Sequence, residues 1–289
     1  FESAAPDLLL IETFPFGRWP FRVELEPLLD VARNQCAIVC SIRDILEPKA
    51  EDRRNRQIVD LIDRSFDLVL VHGDTEFMAL DRTFALAPEI AGKTRYTGYV
   101  SAGTTARSSS ETDGAGEVIV SAGGGATCAS LMRAAADAAM KDGRTWRFLI
   151  GPNCPSTVRK FMSKGTNIVV EPIRPDFPDL LGRADASISQ AGYNTTMDIV
   201  TCGVPAVMVP YQGMGQTEQY LRAERLADLG RVALVPESNV SDKTLLAALK
   251  EAECGQSQLT GKLNLNGAVE TADILANFLK TRISTKERI

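Results

Sequence analysis

Gly192, Asn194, Thr195 and Asp198 are spaced as one site for a phosphorylated sugar. Ala184–Ser189 reads as the end of a buried strand, Gly192 as a tight turn, and Asn194 or Thr195 as the cap of a helix reaching Cys202. The first N–H groups of such a helix have no helical partners, and its dipole adds partial positive charge. A helix start just after a glycine turn at a strand's end is therefore an anion site, with Tyr193 contributing its backbone. Asp198 follows about one and a half turns in, and helical side chains lean toward the N-terminus. A carboxylate there can reach past the anion and accept hydrogen bonds from two neighbouring hydroxyls, such as those of a ribose. Glu218 and Gln219 follow the next apolar run and face the same crevice. Phosphate site, diol acceptor and polar loop together point to a sugar nucleotide.

A second glycine turn, Gly123-Gly124-Gly125, follows the apolar run Val118-Ile119-Val120. Successive glycines let backbone N–H groups approach an anion closely. The spacing is not G-x-G-x-x-G and no acidic residue follows at dinucleotide distance, so a nicotinamide dinucleotide fits poorly. In the first half, Glu12, Arg18, Arg43 and Asp44 fall just beyond the carboxyl ends of apolar runs, where open α/β sheets bind ligands. His72 is the sole histidine and directly follows the run Leu68–Val71. Glu12 and His72 are the candidates for proton transfer.

The elements that must position these residues alternate. Strands are expected from Leu8, Ala37, Leu68 and Thr94 in the first half, the last reaching Val100. Six more are expected from Val118, Trp146, Asn167, Ala186, Ala206 and Val232. Helical patterns at Leu25–Arg33, Arg53–Ser65, Cys128–Lys141, Leu245–Glu251 and Val269–Lys280 separate or follow them. Gly203, with Pro205 beyond it, closes the helix that carries Asp198. The alternation predicts an α/β protein with parallel sheets. Residues 106–116 are almost free of apolar side chains and read as a linker. The expected domains are therefore 1–105 and 117–289.

Composition excludes several classes. The chain has 289 residues, 44% hydrophobic and 24% charged, an ordinary globular balance sufficient for two domains. A net charge of -5 argues against broad nucleic-acid binding. No apolar run approaches a membrane span. Six scattered cysteines with one histidine make no zinc pattern, and a reducing cytosol is the default compartment. No metal and no cofactor is expected.

The pattern G-x-x-T-x-x-D-I-x-x-x-G-x-P-x-x-x-V-P, running from Gly192 to Pro210 and followed by Glu218-Gln219-Tyr220, resembles the nucleotide-sugar half of the GT-B glycosyltransferases. Within them it is similar to the family of the bacterial UDP-N-acetylglucosamine transferase that completes lipid II. It is nearest to that enzyme's relatives known only as predicted glycosyltransferases. The resemblance covers Glu117–Leu279 well and Pro6–Val100 more loosely. It implies two Rossmann-like domains facing a cleft and transfer of a sugar from a nucleoside diphosphate sugar, uridine-linked, to an acceptor hydroxyl. Gly123–Gly125 and the Gly192 turn would face the donor phosphates, the backbone at Ile173 and Arg174 the nucleobase, Asp198 the ribose, and Glu218 and Gln219 the sugar. Arg18, Arg43 and Asp44 would lie on the acceptor side. The acceptor would be lipid-linked or a small molecule, with peripheral contact at the cytoplasmic face of a membrane in the first case.

There are departures from the pattern. The family carries Glu where this chain has Asp198. Where the lipid II enzyme has an arginine near the donor phosphate, this chain has Ser101; Arg107, Arg174 or the helix start at Gly192 would take over. A nucleotide-sugar 2-epimerase on the same two-domain plan and a non-catalytic nucleotide-sugar-binding subunit are the alternatives. The family's first domain opens with a strand and a glycine-rich loop bearing a histidine, and nothing of the kind precedes Leu8. The expectation is a first domain incomplete at its N-terminus, binding donor but transferring poorly.

Overall fold

A computed structural model describes residues 1, 3–47, 52–101, 112–122, 129–162, 165–213, 216–255 and 263–286. The chain forms two compact units. Phe1–Val100 with Leu263–Ile289 make the first, and Ser101–Lys262 the second.

In the first unit, β1 (Leu8–Glu12), β2 (Ala37–Arg43), β3 (Leu68–His72) and β4 (Thr94–Tyr96) form a parallel sheet in that order. Helix α1 (Arg22–Ala32) links β1 to β2, and α2 (Asp52–Ser65) links β2 to β3. The central strands are mostly apolar and buried up to their last residue because both faces are covered. One face packs with Ile58, Val59, Leu61 and Ile62 of α2 and with Phe14 and Phe16 from the loop after β1. The strand expected over Thr94–Val100 stops at Tyr96. Thr97 instead bonds back to the end of β3, its amide donating to the Val71 carbonyl at 3.0 Å. β1 lies at an edge of the sheet, with Leu10 46% exposed.

The second unit has β5 (Glu117–Ser121), α3 (Ala129–Ala139), β6 (Thr145–Ile150), α4 (Ser156–Met162), β7 (Ile168–Pro172), α5 (Phe177–Arg183), β8 (Ala186–Ser189), α6 (Tyr193–Cys202), β9 (Ala206–Met208), α7 (Glu218–Asp228), β10 (Ala233–Leu234) and α8 (Asp242–Gly255). Its parallel sheet runs β10-β9-β8-β5-β6-β7. The order reverses between β5 and β8, which pair in register from Val118↔Ala186 to Ser121↔Ser189. The crevice beyond the carboxyl ends of strands at such a reversal is where doubly wound sheets bind ligands. Ala186 and Ile188 of β8 point into the main core with Trp146 and Phe148. Ser187 and Ser189 occupy the opposite face, fully buried.

Two boundaries differ from the sequence reading. The last helix, α9 (Gly267–Lys286), packs with the first unit, not the second. Ile274 and Leu275 cover Val39, Leu68 and Leu70 on the face of the first sheet left bare by its own helices. Arg282 donates to Asp67 at 2.7 Å and to the Cys36 carbonyl at 3.0 Å. An apolar stripe on a helix states that it must be covered, not by which sheet. Residues 112–116, expected as linker, belong to the second unit: Asp113 pairs with Arg174 at 2.8 Å, and its carbonyl accepts from Arg183 at 2.7 Å. Residues 106–111 lie outside the described residues.

Candidate functional site

Helix α6 begins at Tyr193, with Gly192, which has no side chain to cap the first turn, as its N-cap. The expected capping by Asn194 or Thr195 does not occur. Both already lie inside the first turn, where a side chain can no longer reach back to the amides that need a partner. The Thr196 amide closes the first helical bond, onto the Gly192 carbonyl at 2.9 Å. The amides before it, at the positive end of the helix dipole, have no partner within the helix.

Gly192 is not glycine for the sake of the turn. Its φ of -63° and ψ of 147° are open to any residue, and a Cβ built there meets nothing within 4 Å. Gly203, by contrast, sits at φ 68° and closes α6 with its amide 2.9 Å from the Ile199 carbonyl, as the sequence predicts. The space above Gly192 is what the missing side chain provides.

Asp198 lies on the same helix, half-buried. Burial alone pushes its carboxyl up to about 6. Among the described residues no hydrogen bond or ion pair to its carboxylate is found. A desolvated acid without a local partner, one and a half turns from an uncapped helix start, is built for a ligand that brings donors.

Glu218 and Gln219 open helix α7; they are not the loop expected for them. Glu218 accepts from Arg222 at 2.7 Å, and Gln219 Oε1 accepts from the Tyr211 amide at 3.1 Å, which fixes the turn after β9. Arg222, which the sequence reading passed over, is fully buried and donates to the carbonyl of Ala191, directly before Gly192. Tyr193 is itself buried, 7% exposed, and its ring lies against this guanidinium. A hint lay in the sequence: Glu218 and Arg222 are four apart, the spacing of a helical ion pair.

The other donor-side residues are placed differently. Arg174 is 15% exposed and held by Asp176, Asp113 and Glu171. Hydrogen bonds to Asp176 and Asp113 raise its already high pKa further. Arg147 joins the cluster through Glu117 and Glu171. A guanidinium so engaged is a structural clamp between the segment entering β5 and the end of β7, and does not replace the arginine absent at Ser101. Arg174→Met is expected to leave a surplus of buried negative charge and to destabilise the unit by roughly 2–4 kcal/mol, read as a lower unfolding midpoint in urea. Ser101 accepts from Thr201 of α6 at 3.1 Å. The Ile173 amide bonds the Ile150 carbonyl at 3.2 Å, with its side chain 50% exposed. Gly123–Gly125 and Arg107 lie outside the described residues. The end of β5 that leads to the glycine run is level with the Gly192 turn, since Gln190 donates to the Ser121 carbonyl at 3.1 Å.

In the first unit, Glu12, Arg18, Arg43 and His72 gather at the carboxyl ends of β1–β3. Glu12 accepts from Arg18 at 2.9 Å, both about half exposed. Phe14 and Phe16 are buried and anchor the loop between them, while Thr13 and Arg18 adopt left-handed backbone at φ 73° and 53°. Arg43 is exposed beside His72 in the β2–β3 register. His72 Nδ1 lies 2.8 Å from Thr97 Oγ1, and Nε2 lies 2.8 Å from Ser41 Oγ. Thr97 gives its own proton to the Gly98 carbonyl at 2.8 Å, so Nδ1 is the donor to Thr97 and Nε2 accepts from Ser41. Burial lowers the His72 pKa and keeps the ring neutral. Asp44 does not belong to this rim. Just past the end of β2 it is fully buried, where it accepts from the Tyr99 hydroxyl at 3.0 Å.

Comparison with known proteins gives the same fold. A transferase from Desulforamulus reducens that adds N-acetylglucosamine from its UDP derivative to N-acetylmuramyl-(pentapeptide) pyrophosphoryl-undecaprenol is 24% identical over 114 residues, 39% of this chain and 31% of that protein. The chain thus matches about a third of the length of such curated relatives. The crystal structure of MurG from Acinetobacter baumannii superposes with a TM-score of 0.52 at 15% identity, over 92% of this chain and 98% of that one. The spinosyn rhamnosyltransferase SpnG, complexed with thymidine diphosphate, superposes with a TM-score of 0.57 at 19% identity, over 94% of this chain and 74% of that one. The fold is that of the GT-B glycosyltransferases. Residues 118–274, more than half the chain, match the model of the glycosyltransferase family 28 C-terminal domain, and the chain belongs to that family.

Proposed function

We propose that the protein transfers a sugar from a nucleoside diphosphate sugar, uridine-linked, to an acceptor hydroxyl. The observation that carries this reading is the uncapped start of α6 at the reversal of the sheet order, with the unpartnered Asp198 carboxylate behind it. In the reaction the acceptor oxygen attacks the anomeric carbon, the bond from that carbon to the diphosphate oxygen breaks, and the acceptor proton passes to a base. Charge develops on the leaving diphosphate. The amides at Gly192, Tyr193 and Asn194 supply dipoles for it without a metal, the role that the sequence pattern also assigns to Gly123–Gly125. Asp198 takes the ribose hydroxyls; Glu218 and Gln219 take the transferred sugar.

On the acceptor side, Arg18 and Arg43 orient the acceptor, and Glu12 or His72 receives its proton. An epimerase would need carboxylates and a histidine around the donor sugar. The single histidine belongs to the first unit, bonded to Ser41 and Thr97, which disfavours that reading. No helix among the described residues is long and apolar enough to cross a membrane. A lipid-linked acceptor, like that named for the Desulforamulus relative, would be met at the inner membrane surface; a small-molecule acceptor would be met in the cytoplasm.

Thermal unfolding tests the donor site directly. With a chelator present, UDP at about a hundred times its dissociation constant should stabilise the fold by about 2.7 kcal/mol, a rise of roughly 5–10 °C in Tm. Thymidine diphosphate is the comparison ligand. A shift that requires magnesium or manganese would refute the metal-free reading. Mass spectrometry of products formed with donor alone and with donor plus acceptor separates transfer, epimerisation and simple binding.

A further inference from the structure

Arg222 has no part in the reaction scheme above, yet it is the charged side chain most completely enclosed beside the donor site. It stands one turn into α7 with 0% of its surface exposed. One arm of the guanidinium, Nη2, donates to Glu218 Oε1 at 2.7 Å. The other, Nη1, donates to the Ala191 carbonyl at 3.3 Å. Its Cζ lies 5.4 Å from the centre of the Tyr193 ring. Ala191 precedes the glycine turn, Tyr193 opens α6 and Glu218 opens α7. A single planar fork therefore joins the two helix starts that carry the diphosphate and sugar contacts.

The cost of burying this charge bears on its purpose. A buried ion pair is commonly no more stabilising than apolar side chains of the same volume, so stability alone is a weak reason for an arginine here. Its geometry is a better one. An arginine presents donors in two directions from one rigid plane, whereas a lysine ammonium is a single point on a flexible stem and cannot serve both partners at once. Glu218 is also the only partner of the three whose side chain is a candidate for touching the transferred sugar. Whatever fixes Glu218 against the start of α6 fixes where the sugar is read relative to the diphosphate.

We propose that Arg222 is a positioning residue of the nucleotide-sugar site. It sets the Glu218 carboxylate against the anion-binding turn, so that recognition of the sugar depends on Arg222 far more than recognition of the nucleoside diphosphate does. The proposal rests on the donor-site reading given under Proposed function.

Calorimetric titration of the protein with UDP, UDP-glucose and UDP-N-acetylglucosamine tests it, using the ratio of the tighter UDP-sugar affinity to the UDP affinity as the readout. In Arg222→Lys, UDP affinity is expected to stay within about threefold while that ratio falls by about tenfold or more. Glu218→Gln should produce the same fall, and adding Arg222→Lys to it should cost little further, because both changes remove one coupled contact. If Arg222→Lys does not fold, Arg222→Met combined with Glu218→Gln, which leaves neither charge buried alone, is compared with Glu218→Gln by the same ratio. An unchanged ratio in Arg222→Lys overturns the proposal. So does a parallel loss of UDP and UDP-sugar affinity that follows a lowered Tm, which would mark a purely structural role, and so do additive effects of the two substitutions. Failure of the wild-type protein to bind UDP or either UDP-sugar would instead refute the donor-site reading and the proposal with it. UDP binding by the wild type with an unchanged ratio in the variant refutes the Arg222 proposal alone.

Discussion

Replacing Gly192 with leucine is expected to abolish nucleotide binding in a protein that still folds. A Cβ at this position meets nothing within 4 Å, and the backbone, at φ -63°, accommodates any residue. An exposed change of this kind shifts stability by only about 0.5 kcal/mol, and Tm should move by no more than about 2 °C. The added side chain would fill the space over the first amides of α6 and keep an anion from them. Losing two charge-assisted hydrogen bonds costs roughly 3–6 kcal/mol, a drop of more than a hundredfold in UDP affinity. Calorimetry and thermal unfolding on the same sample decide it. Retained affinity would place the diphosphate elsewhere, whereas a large fall in Tm would give Gly192 a packing role that its surroundings do not suggest. The contrasting control is Gly203, whose left-handed φ of 68° makes any side chain costly to the fold and not to the ligand.

Asp198→Asn should move stability and binding in opposite directions. The carboxyl is raised to about 6 by burial, above the 3.8 of an unperturbed aspartate. Between those values the folded protein holds more protons than the unfolded chain, so stability is fully present below the lower value and is lost as pH rises through 6. Two units correspond to roughly 3 kcal/mol in a dry site, and solvent screening of a half-exposed group reduces this to about 1–2 kcal/mol. The asparagine variant, which never ionises, should therefore melt higher than wild type by about 2–6 °C at pH 7.5 and show no advantage at pH 4. Its UDP affinity should fall tenfold to a hundredfold, because a charged acceptor for two hydroxyls is worth about 1.5–3 kcal/mol. Wild-type affinity should itself weaken as pH drops from 7 to 5. A variant that gains stability and keeps its affinity would remove Asp198 from the ribose contact. Asp198→Glu should retain much of the binding, since related enzymes carry glutamate there.

The sequence by itself determined the layer architecture and the helix that carries the candidate site. Period, turn residues and helix stops are local properties, so the ten strands, Gly203 as the end of α6, and Asp198 on the helix after the Gly192 turn were all legible before any contact was known. What depended on distant partners was not. Arg174 looks like a free cation in sequence, but it is held by its neighbours Asp176 and Glu171 and tied to a distant segment by Asp113, some sixty residues earlier. Asp44 sits next to exposed Arg43 in the chain, but the bend after β2 places it in the interior, where it meets Tyr99. Helix α9 follows the second unit in sequence and packs with the first, because burial of Ile274 and Leu275 is satisfied by whichever apolar face the folded chain leaves open. Arg222 lies just after Glu218 and Gln219, which were expected as a polar loop, and the packing of α7 against the residues at the start of α6 encloses it. Secondary structure is encoded in spacing along the chain; whether a charge binds a ligand or a neighbour is decided by the residues that folding brings beside it.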